Sequence, residues 1–95
     1  MDERGRYLVE IAPPEGGWAR LQQATARART AAAEMRAEGL PVRFVRSVFA
    51  PEDVTCYFLF EAPSAQAVED ALGRAALHAE HLVRMNRVEP GGGLS

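Results

Sequence analysis

The chain is expected to fold as one α+β domain in the order β-α-β-β-α-β. Three observations point there. Two alanine-rich segments repeat apolar residues at three- and four-residue steps, two aromatic and β-branched runs flank Pro51-Glu52-Asp53, and a short apolar run stands near each end. Ninety-five residues suit a single domain. We divide it into a flexible N-terminus over residues 1–6, a folded domain over 7–89 and a flexible tail over 90–95.

The first strand is Tyr7-Leu8-Val9-Glu10-Ile11, with Tyr7, Val9 and Ile11 on one face and Leu8 and Glu10 on the other. Pro13-Pro14 stops it, since proline cannot donate to a ladder. A helix is predicted from Trp18 to Glu38, with Trp18, Leu21, Thr25, Ala28, Ala32 and Met35 as its apolar stripe. That stripe is mostly alanine, so the helix can lie close on a sheet. Gly39 ends it where a positive φ is easiest, and Pro41 prevents its resumption.

Val42 to Glu61 reads as an antiparallel hairpin turning at Pro51-Glu52-Asp53. With residue 48 opposite 56, one face carries Phe44, Arg46, Val48, Cys56, Phe58 and Phe60. The other carries Val45, Ser47, Phe49, Thr55, Tyr57 and Leu59. Neither face alternates with polar residues as a solvated face should, so something is expected to cover both. Ser64 caps a second helix whose inner stripe is Ala65, Val68, Leu72 and Ala75, and which frays near Leu77 and His78. A last, edge strand runs from Leu82 to Val88.

This order is that of a ferredoxin-like sandwich, an antiparallel four-stranded sheet in the order 4-1-3-2 with both helices on one face. The helices leave the opposite face bare. Its cheapest cover is the same face of a second copy, which predicts a homodimer resembling a dimeric α/β-barrel.

Composition excludes several classes. Thirteen acidic residues against eleven basic ones give no net positive field, so neither nucleic acid nor an anionic membrane is an expected partner. All the basic residues are arginine, a bias that base composition explains as readily as function. Residues 1–6 lack the apolar core of a secretory signal, no run approaches a membrane span, and the lone Cys56 cannot form an internal disulfide. A cytoplasmic protein is expected.

The run VRFVRSVFAPEDVTCYFLFEAPSAQAV, together with YLVE in the first strand, resembles a family of small bacterial ferredoxin-like domains of unknown function that includes a nickel-binding dimeric member. The resemblance implies the fold and a dimer. It also implies histidines as metal ligands at positions that here carry Arg46, Leu77 beside His78, and Ile11 or Ala12, so the metal site does not carry over.

Read from the residues alone, His78 and His81 are three apart and would share a helix face if the helix ran that far, with Glu80 between them. They are the only metal candidates for nickel or zinc, and a third ligand is not evident. Cys56 is either an activated thiolate or a small core residue. No nucleophile elbow, phosphate-cradling loop or His-Glu-x-x-His occurs, and no organic cofactor is implied. The informative set is polar residues within an apolar sheet: Glu10, Arg46, Ser47, Thr55, Tyr57, Arg84 and Asn86. Either Glu10 pairs with an arginine across the sheet or the dimer, or Glu10, Arg46, Tyr57 and Arg84 line a ligand pocket with Glu10 as base or acceptor.

Three functions are compatible with this pattern. The first is a homodimer that binds a small ligand or metal ion without catalysis. The second is a cofactor-independent isomerase, cyclase or oxygenase with a Glu10-centred pocket, and the third is a structural interaction module.

Overall fold

The structure, a computed structural model, describes residues 5–12, 16–50 and 55–85. Its elements are β1 (Gly5–Ile11), α1 (Gly17–Ala37), β2 (Arg43–Ala50), β3 (Thr55–Ala62), α2 (Ala65–Arg74) and β4 (His81–Met85). The strands form one antiparallel sheet in the order β2-β3-β1-β4, the predicted order, and the domain is ferredoxin-like. Gly5 and Arg6, expected in a flexible terminus, extend β1 by pairing with Ala62 and Glu61. The Pro13-Pro14 stop, the Pro51-Glu52-Asp53 turn, Asn86 to Val88 and the tail lie outside the described residues.

One sheet face carries the core. Tyr7, Val9 and Ile11 of β1 and Cys56, Phe58, Phe60 and Ala62 of β3 alternate inward and are buried with Phe44 of β2. Phe44 meets Phe58 and Phe60 edge to face, each at 5.3 Å between centroids, and the Arg29 guanidinium lies 4.8 Å over its ring. From α1 this layer receives Leu21, Ala24, Ala28, Ala31, Ala32 and Met35, and from α2 Ala67, Val68, Ala71 and Leu72. Small side chains let both helix backbones approach the sheet closely. Trp18, assigned to the stripe of α1, is instead 63% exposed in the first turn, ahead of the inward-facing residues.

Both helices end in the same way, with different residues. After α1, Leu40 N–H donates to the Met35 carbonyl and Gly39 N–H to that of Arg36; after α2, Leu77 N–H donates to Leu72 and Ala76 N–H to Gly73. Each pair is a Schellman closure, which needs a left-handed residue at its centre. Gly39 supplies φ 94° without strain, whereas Ala76 is held at φ 57° against its Cβ. Ala76→Gly is therefore expected to raise stability by about 0.5–1 kcal/mol, measured as an increased urea midpoint at unchanged slope. At the other end of α2, the Ser64 hydroxyl accepts from Ala67 N–H at 3.2 Å, the cap that the sequence predicts.

The hairpin pairing departs from expectation at one point. Arg43 and Phe44 pair with Glu61 and Phe60, but from Arg46 onward the register moves by one, so that Arg46 faces Leu59 and Val48 faces Tyr57, leaving Val45 as the extra residue of a bulge. A one-residue shift exchanges the faces. Arg46 and Val48 join the open face with Leu59 and Tyr57, and Ser47 and Phe49 move to the side of Phe58 and Cys56.

Candidate functional site

Directly opposed residues in antiparallel strands point to the same side, so the register assembles the open face row by row. Across β4, β1, β3 and β2 the rows are Met85–Arg6–Glu61–Arg43, Val83–Leu8–Leu59–Arg46 and His81–Glu10–Tyr57–Val48. The first is tied by Glu61, which pairs with Arg6 at 3.1 Å and Arg43 at 3.8 Å. Aliphatic residues fill the middle row up to Arg46. In the third, a carboxylate stands between an imidazole and a phenol, at cross-strand Cβ separations of about 4.5–5.5 Å.

Glu10 differs from its expected setting. β1 is central, yet Glu10 is only half-buried, because no helix covers its side of the sheet. Its side chain makes no ion pair with an arginine among the described residues. Arg84, expected as a partner, pairs in register with Tyr7 on the helix side and packs where a Cβ on Gly5 would come within 2.9 Å of its Nε. Of the predicted ligand set, then, Glu10 and Tyr57 are immediate neighbours, Arg46 is one row away on the edge strand, and Arg84 is on the opposite face. Sequence reading passed over His81 as a neighbour of Glu10, since the loop length that sets the β4 register is not visible in a residue pattern.

The histidine pair is separated. α2 stops at Arg74, so His78 and His81 share no helix face. His81 opens β4 beside Glu10, whereas His78 borders a helix-side pocket together with Ile11, Ala12, Leu77 and Glu80. Positions where the resemblance implies histidine thus gather in that pocket as apolar residues, and Arg46 stands apart from them. Both histidines and the cysteine are among the described residues, and no group of three or more His, Cys, Asp or Glu there could hold a metal ion. Cys56 is buried among the core residues, and desolvation pushes its thiol above the ordinary value of 9.0. That disfavours the thiolate at neutral pH and leaves Cys56 as a core residue.

A second polar cluster joins the helices. The Arg74 guanidinium donates to both Glu38 carboxylate oxygens at 2.6 and 2.7 Å and approaches Glu34 at 3.8 Å. The Arg74 hydrogen bonds hold the Glu38 carboxyl below its usual range. This pair fastens the C-terminus of α1 to that of α2 at the surface. No helix is long and apolar enough to cross a membrane among the described residues.

Comparison with known proteins agrees with this architecture. A family model described as nickel responsive protein SCO4226-like matches residues 7–85. Among solved structures, the chain is similar to SCO4226 from Streptomyces coelicolor A3(2), with a TM-score of 0.71 and 22% identity over 88% of this chain and 99% of that one. At that identity the likeness is one of fold. No curated protein matches the sequence.

Proposed function

The chain belongs to the SCO4226-like family of nickel responsive proteins, and on that premise we propose that it acts as a homodimeric binding protein for a small polar ligand held on the open sheet face. The observation that carries this reading is the row His81–Glu10–Tyr57, in which a carboxylate on an uncovered face has donors on both sides and no cationic partner among the described residues. Such a row can accept from and donate to a ligand, and Arg46 one row away adds a site for an anionic or carbonyl group.

A second copy is the natural cover. An axis parallel to the strands, passing between β1 and β3, would lay Leu8 on the partner's Leu59, Glu10 on the partner's Tyr57 and Arg6 on the partner's Glu61. Each of these contacts then occurs twice and matches apolar with apolar, a carboxylate with a phenol donor, and a cation with an anion, as an isologous interface requires.

Nickel, named in the family's description, finds a poor fit in this donor set. Glu10 and His81 offer one oxygen and one nitrogen where a transition metal takes three or four donors. In calorimetry, Ni²⁺ is therefore expected to bind only as weakly as to a surface histidine, with less heat in His81→Ala; a tight stoichiometric site would overturn this part of the reading. Glu10→Gln is expected to change urea stability by no more than about 0.5 kcal/mol, because the amide oxygen still accepts from a tyrosine hydroxyl across the interface and no buried charge is orphaned. The same substitution should abolish the thermal shift produced by hits from a screen of small carbonyl and carboxylate compounds. Hits that survive both Glu10→Gln and His81→Ala would place the ligand elsewhere.

A further inference from the structure

We infer that the pocket at the C-terminal end of β1, on the helix side of the sheet, binds a small zwitterion with an apolar side chain, of the class of a free branched-chain α-amino acid. The pocket has a volume of about 240 Å³, somewhat under the ~300–1,000 Å³ of sites for drug-sized ligands, so it suits a molecule with one short side chain. Its floor is apolar: Leu21, Ala24 and Phe58 are buried, and Leu77 is half-buried. The rim carries both signs, Arg27 from α1 and Glu80 from the loop before β4.

Hydrogen bonds hold the Arg27 guanidinium and the Glu80 backbone and leave the ligating atoms of both side chains available. Arg27 Nε donates to the Ala75 carbonyl at 2.8 Å, which orients the guanidinium, and its two Nη groups make no hydrogen bond among the described residues. Glu80 N–H donates to the Glu10 carbonyl at 2.8 Å, which fixes that residue to the end of β1, and its carboxylate makes no ion pair among the described residues. An apolar floor alone would accept any hydrocarbon. A cation and an anion on one small rim select a ligand that carries the complementary pair, with its carboxylate on Arg27 and its ammonium on Glu80. Ala76, at φ 57°, also lines the pocket.

Calorimetry on the full chain tests this with L-leucine as the probe. Saturable binding is expected, weakened at least tenfold for leucinamide, which lacks the carboxylate, for 4-methylpentanoate, which lacks the ammonium, and for glycine, which lacks the side chain. Glu80→Gln and Arg27→Gln should each weaken leucine binding about tenfold. Because Arg27 also caps the end of α2, the Glu80 variant is the decisive one if Arg27→Gln fails to fold. No saturable heat with leucine, equal binding of 4-methylpentanoate, or an unaffected Glu80→Gln would each overturn the inference. The pocket and the open face lie on opposite sides of the sheet, so failure here leaves the reading of the Glu10 row untouched.

Discussion

Phe58→Ala is expected to destabilise the domain by about 3–5 kcal/mol, the range for truncating a fully buried aromatic. Phe58 has no exposed surface, sits on β3 between two neighbouring strands, and meets the edge of Phe44 at 5.3 Å. The core cluster to which it belongs is rich in alanine, with Ala24 and Ala28 on α1 and Ala71 on α2 among its members. Alanines have no rotamer with which to fill a void, so the cavity should persist and the loss should fall in the upper part of that range. A domain of this size has about 5–15 kcal/mol in all, so a large share of its stability is at stake. Urea unfolding followed by circular dichroism measures it. A loss below 1 kcal/mol would mean that the helices can collapse onto the sheet, and hence that the alanine layer is less rigid than its packing implies.

Leu59→Asp should convert a dimer into a monomer. Leu59 lies in the middle row of the open face, opposite Leu8 on β1 and Arg46 on β2, and both leucines are only half-buried within one chain. Val83 and Met85 on β4 and Val48 on β2 are exposed beside them. If a second copy covers this face, a carboxylate at its centre, under the partner's Leu8, costs several kcal/mol to desolvate, more than the edge-strand Arg46 opposite it returns. The dimer dissociation constant is then expected to rise at least a hundredfold, about 2.8 kcal/mol at 1.4 kcal/mol per factor of ten. Light scattering at micromolar concentration should give the dimer mass for the native chain and the monomer mass for Leu59→Asp. Leu40→Asp, which adds the same charge at an exposed position after α1, should remain dimeric. A native chain that is monomeric, or a Leu59→Asp variant that is still dimeric, would remove the open face as the interface.

Such a monomer would also separate two roles of the Glu10 row. If the ligand needs both copies, binding is lost together with the dimer. If His81, Glu10 and Tyr57 of one chain suffice, it persists.

What the sequence determined by itself is local and periodic. The apolar steps of α1 and α2, the Ser64 cap, the Gly39 stop and the alternation of Tyr7, Val9 and Ile11 each reflect a preference of a few neighbouring residues, and together they imply the ferredoxin-like order and the bare sheet face. Tertiary structure decided whatever depends on one residue more or less. The bulge at Val45 has no compositional mark, because Val suits a strand either in or out of register, yet it moves Arg46 and Val48 onto the open face. The left-handed position after α2 is not a glycine, Gly73 lying three residues earlier within the helix; Ala76 takes it against its own preference, in a closure whose N–H groups donate to Gly73 and Leu72. That turn sets where β4 begins, which brings His81 rather than Arg84 beside Glu10. Strand register is fixed by side-chain packing between segments distant in the chain, and a one-residue slip exchanges the faces of a strand. The elements of this protein were therefore legible in its residues, and the membership of its candidate site was not.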